Sequence, residues 1–182
     1  MRRDDAPNAF HDQALEHFRF RVERFLGWAA AQPNDPAADV DMAARVLSAL
    51  IYAATKIKDD GCRFFDVDAP AAESQIKLLE RFRRLPAECG PVQGVTRFCP
   101  ARHRDRGLAY CLADIHNELA SGMRLYLDDK QAAARTMWRF GYVHSWGKLA
   151  ICALFVLHSS IEEQQSSHAD RAHPQGSTHR IS

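Results

Sequence analysis

Apolar residues recur at steps of three and four along five separate stretches of this chain, and over no strand-length segment do they alternate with polar ones between turn signals. A period near 3.6 builds helices that bury one face, whereas a half-buried strand needs a period of two. The pattern therefore predicts an all-α fold: a single compact bundle of about five helices over residues 1–160, followed by a disordered polar tail over 161–182.

The first stretch runs from about Asn8 to Ala31, with Phe18, Val22, Phe25, Leu26 and Ala29 on one face and Glu16, Arg19, Glu23 and Arg24 between them. Asp35 followed by Pro36 suits an N-cap and first helical position, so a second helix is expected from there to about Lys58, closed by Asp59-Asp60-Gly61. A third is signalled by Asp68 and Pro70 and ends in the basic run Arg81, Arg83, Arg84, where cations complement the helix dipole. Residues 86–104 carry Pro86, Gly90, Pro91, Gly94 and Pro100, which predicts a long loop. A fourth helix follows from about Asp105 to Leu127, with Asp128-Asp129 offering a turn and cap. The fifth is expected to run unbroken from Lys130 to about Ser160, apolar on most faces and therefore central.

Composition narrows the functional classes. At 182 residues, 46% hydrophobic and 26% charged, the chain can bury a core without disulfides or metal. A net charge of +1 gives no global field favouring nucleic acid or an anionic membrane. The five cysteines form no Cys-x-x-Cys pair, and Cys111 and Cys152 fall within apolar helical patterns; they read as reduced, buried thiols of a cytoplasmic protein. The start, Met1-Arg2-Arg3-Asp4-Asp5, lacks the apolar core of a signal peptide, and the longest apolar run, Leu149 to Leu157, is about half of the ~20 residues that span a bilayer.

One set of residues carries a resemblance. Leu112-Ala113-Asp114-Ile115, Leu119 and Gly122, then Trp138-Arg139-Phe140, Trp146-Gly147 and Ala153-Leu154, ending near Leu157-His158, resemble the short bacterial helical proteins grouped as domain of unknown function 5063. The likeness covers the last third of the helical part, and more weakly the second helix. It implies an all-helical fold and supplies no activity. The family pattern has a His-Trp-Gly triplet followed shortly by a second histidine; an ungapped match puts Ser145 and Leu149 at those two positions. At ~100° per residue, both would lie near the centre of the fifth helix's apolar stripe, in line with Trp138 and Val156.

The candidate binding residues are Asp114, Glu118, Arg139 and Trp146. Asp114 and Glu118 stand four apart and flank the fourth helix's apolar stripe, so they could line a pocket against the fifth helix, share a proton or hold a divalent cation. The competing reading is a solvated pair answered by Arg135 or Arg139. His116, His144 and His158 lack the spacing that puts metal ligands on one face, so no metal site is expected, and His144 reads as a surface residue. No phosphate-binding glycine loop or nucleophile elbow occurs, so no cofactor is expected. Arg97, Arg102, His103, Arg104 and Arg106, with Phe98 nearby, form the densest basic cluster and the one place where phosphates could be contacted; Cys99 lies among them as a candidate reactive thiol.

Three functional readings follow. The first is a non-enzymatic helical adaptor: Trp138, Phe140, Trp146 and Phe155 are more large apolar groups than one stripe needs, so some of them are expected to face a protein partner. The second is a small-molecule-binding or hydrolytic protein with its pocket between the fourth and fifth helices. The third is phosphate or nucleic-acid contact through the 97–106 loop.

Overall fold

The computed structural model describes residues 6–32, 35–58, 72–85 and 107–172. Among these there are six helices and no strand: α1 (Ala6–Ala30), α2 (Pro36–Ala54), α3 (Ala72–Phe82), α4 (Gly107–Leu127), α5 (Gln131–His144) and α6 (Trp146–Ala172). The all-α expectation holds. The connector after α2, the 86–104 loop, the basic cluster at 97–106 and residues 173–182 lie outside the described residues.

Local chemistry sets several helix ends. Asp35 has extended backbone angles, and its carboxylate accepts the Ala37 N–H at 3.0 Å, while Pro36 occupies the first turn where no donor is needed. The exit from α4 is a Schellman turn. Lys130 N–H donates to the Leu125 carbonyl and Asp129 N–H to that of Tyr126, with Asp129 at φ 64°. Aspartate is among the few non-glycine residues that enter this region readily. The Asp128-Asp129 pair thus makes the turn but not the cap, since the residue preceding α5 is Lys130, which makes no side-chain capping bond.

The expected fifth helix is two. Ser145 leaves helical geometry at φ −138°, ψ −93°, and α5 and α6 meet at a bend of 54°. Only glycine fits the second position of α6 at this bend: a Cβ on Gly147 would stand 2.1 Å from the Tyr142 carbonyl oxygen. The second difference is at the far end, where α6 continues through residues 161–172, expected as tail, to Ala172.

One apolar cluster takes residues from all six helices. At its centre α4 packs against α1, α3, α5 and α6, while α2 closes the bundle against α1 and α6. Phe18, Phe25, Leu47, Leu50, Phe82, Ile115, Trp138, Trp146 and Leu149 are among the largest side chains fully withdrawn from solvent, each contributing ~1.5–3 kcal/mol of burial free energy. Cys111 and Cys152 are buried and form no disulfide. No single helix among the described residues is long and apolar enough to cross a membrane. Only the bent pair of α5 and α6 reaches that length and composition, and Trp138, Trp146, Leu149, Ala150, Ala153 and Leu157 of that pair are buried in the core.

Candidate functional site

Glu118 sits half-buried on α4, facing the α5–α6 break. The Ser145 hydroxyl donates to its carboxylate, so the helix break supplies a polar partner where a continuous helix would have aimed Ser145 at apolar core. Gly141 makes this approach possible. A Cβ there would lie 2.8 Å from Glu118 Oε2 and 2.5 Å from Trp146 Cδ1. Glu118, Ser145, Gly141 and Trp146 therefore form one contact group between α4 and the bend.

The other sequence candidates are distributed around it. Asp114 is half-buried one helical turn before Glu118. The Arg139 guanidinium lies over the Tyr142 ring, 5.5 Å from its centroid, a cation–π contact rather than a bridge to the α4 carboxylates. Trp146 is fully buried, and its indole N–H donates to the Trp138 carbonyl at 3.0 Å. Leu149 is fully buried, as expected, whereas Ser145 does not share its stripe, because the break shifts the helical phase between them.

Of the four large aromatic groups, some of them expected to face a partner, Trp138 and Trp146 belong to the interior. Trp138 donates its indole N–H to the Leu119 carbonyl at 3.1 Å, and a Cβ on Gly122 would stand 2.1 Å from that nitrogen. The Phe18 ring meets Trp138 edge-on at 5.2 Å and Trp146 at 5.9 Å. Leu119, Gly122, Trp138 and Trp146, which carry the resemblance, thus share one interlocked packing device with Gly141: two indoles, each tied by its N–H to a helix carbonyl, fit the gaps left by Gly122 and Gly141. Phe140 and Phe155, at 41% and 49% exposure, are the members of the aromatic set that do face solvent.

The most buried ionic group was not among the sequence candidates. Asp39 of α2 and Arg81 of α3 form a bidentate pair at 2.7 and 2.9 Å, each side chain about 6% exposed. Trp28 Nε1 donates to the same carboxylate at 2.8 Å, and Arg81 Nε donates to the Ala31 carbonyl at the end of α1, 2.8 Å away. The guanidinium also lies over the Trp28 and Phe82 rings. Arg81 therefore ties three helices together rather than simply balancing a dipole. The available signal was slight: Asp39 adjoins buried Val40, and Arg81 sits between Leu78 and Phe82.

His116 has a buried Nδ1 with no hydrogen-bond partner. Burial pushes its imidazole pKa below the ordinary value, opposed in part by the Asn117 side chain. Because the unfolded chain takes up this proton more readily, the stability the neutral ring supports is complete above the unfolded pKa of about 6.5 and declines as pH falls below it. Thermal unfolding followed from pH 7.5 down to pH 5.5 is expected to show a smaller acid-side decline for His116→Leu than for the native chain. Parallel profiles would assign the pH dependence to other groups. His144, exposed as expected, stacks on Phe140 at 4.4 Å, and no group of three or more histidine, cysteine, aspartate or glutamate side chains among the described residues could hold a metal.

Fold and site together define an all-α bundle whose last three helices are locked by paired indoles. Over residues 100–162 the chain matches the model of the family described as Domain of unknown function (DUF5063), so the resemblance read from α4 to α6 is borne out across that segment. A solved structure, protein BF1032 from Bacteroides fragilis, superimposes with a TM-score of 0.64 at 15% sequence identity, covering 81% of this chain and 95% of that one. At such identity the likeness speaks for the fold alone. No curated protein matches the chain.

Proposed function

We propose that this chain is a helical interaction module of the bacterial cytoplasm, acting through a surface on α5 and α6 rather than through catalysis. The observation that carries this reading is the exposure of Phe140, Val143, Ile151 and Phe155, at 41–55%, on helices whose other apolar groups are already committed to the core. Large apolar side chains held in water gain most from a partner that desolvates them. The buried Cys111 and Cys152, which form no disulfide, support a reducing compartment. Affinity capture from the native host is expected to recover a reproducible protein with the native chain and lose it with Phe140→Asp/Phe155→Asp. Recovery unchanged by that double variant, or no reproducible recovery, would overturn the reading.

The Glu118 group supports a second reading, a small-molecule site between α4 and the α5–α6 bend, because a half-buried carboxylate held by a serine hydroxyl is a ready acceptor for a ligand's donor. A ligand whose thermal stabilisation of the protein disappears in Glu118→Gln would support it. Equal stabilisation of native and variant proteins would remove it.

A further inference from the structure

We propose that the outward face of α6 pairs antiparallel with the same face of a second copy of this chain, an inference that rests on the interaction-module reading and names its partner. Lys148, Ile151, Phe155, His158 and Glu162 are all exposed, and their spacing of three, four, three and four follows one stripe along the helix. The stripe is apolar in the middle, with Ile151 at 55% and Phe155 at 49% exposure, cationic at its start and anionic at its end.

A second copy of the same stripe is complementary to that order of charge in one direction only. A parallel partner helix would set Lys148 against Lys148 and Glu162 against Glu162. Turned end to end about a two-fold axis near residue 153, two copies instead bring Ile151 of each onto Phe155 of the other. Lys148 then stands opposite His158 of the second copy and within one helical turn of its Glu162, twice by symmetry. Within one chain Glu162 lies 3.4 Å from His158 Nδ1, at an exposed contact that a lysine ammonium can join. The Ile151 and Phe155 side chains supply the apolar centre and the register, and the two end pairs supply polarity.

Because the equilibrium follows mass action, sedimentation velocity of the full chain from about 1 µM to about 200 µM is expected to show a monomer passing to a dimer. Phe155→Asp is expected to raise the dissociation constant about 100-fold, as loss of a central aromatic anchor does. Lys148→Glu should raise it about tenfold, and combining it with Glu162→Lys should restore it, a rescue that damage to the fold would not give. Ile151→Asp, with circular dichroism confirming native helicity, serves as an independent variant at the centre. A chain monomeric throughout the range overturns the proposal, as does a dimer indifferent to both central variants. If such a monomer still captures a different protein in a Phe155-dependent way, the interaction-module reading stands while the self-pairing falls. If it instead binds phospholipid vesicles, the surface belongs to a membrane and both fall.

Discussion

Arg81→Ala is expected to destabilise the fold by about 3–5 kcal/mol, the range found when one partner of a buried ion pair is removed. The cost comes less from the lost attraction than from what is left behind. The buried Asp39 carboxylate would be left at the edge of the Trp28 ring with only the indole N–H to answer it, and the Ala31 carbonyl would lose its donor at the end of α1. Asp39→Ala should cost a similar amount, because it strands a guanidinium held between Trp28 and Phe82. Replacing both together, Asp39→Leu with Arg81→Met, removes the charges as a pair and should recover most of the loss, since apolar groups of similar volume often substitute for buried pairs with little penalty. Urea unfolding of the native chain, Asp39→Leu, Arg81→Met and the double variant closes a cycle that gives the coupling directly. Additive costs would mean that the two side chains act independently, which the bidentate geometry contradicts.

Gly122→Ala is expected to cost about 3 kcal/mol, far beyond the small gain in helix propensity that alanine ordinarily brings. The added methyl would stand 2.1 Å from the Trp138 indole nitrogen, so the ring must move, and that same nitrogen holds the hydrogen bond to the Leu119 carbonyl. Trp138 in turn holds Trp146 through its own carbonyl, so the disturbance should extend to the α5–α6 bend. The discriminating experiment adds Trp138→Phe. A smaller ring leaves room for the methyl, and the double variant should lose less stability than the two single costs summed. Gly122→Ala unfolding at the native denaturant midpoint would show that the indole has space the geometry denies it.

These two sites mark where sequence reasoning reached and where it stopped. The resemblance singled out Gly122, Trp138, Trp146 and Gly147 as a set, but periodicity alone assigned the aromatics to a stripe too wide for one core and offered some of them to a partner. What it lacked was the third dimension: an indole fits between helices only where a glycine on the facing helix leaves a gap, and the facing residues are 16 positions apart for Gly122 and Trp138. Asp39 and Arg81 were hidden for a related reason. A charged residue near a helix end reads as solvated until its counter-charge, 42 residues away, is seen to be buried with it.

What the sequence determined by itself was the helical class, the positions of α1 to α4 to within a few residues, the Asp35-Pro36 start of α2 and the burial of Cys111, Cys152 and Leu149. All of these depend on neighbours within one or two turns, where periodicity and capping chemistry act. Tertiary structure decided the break at Ser145, the division of aromatics into buried Trp138 and Trp146 and exposed Phe140 and Phe155, and the partners of Glu118, Asp39 and Arg81. Each of these depends on which helix arrives opposite, and packing rather than local propensity settles that.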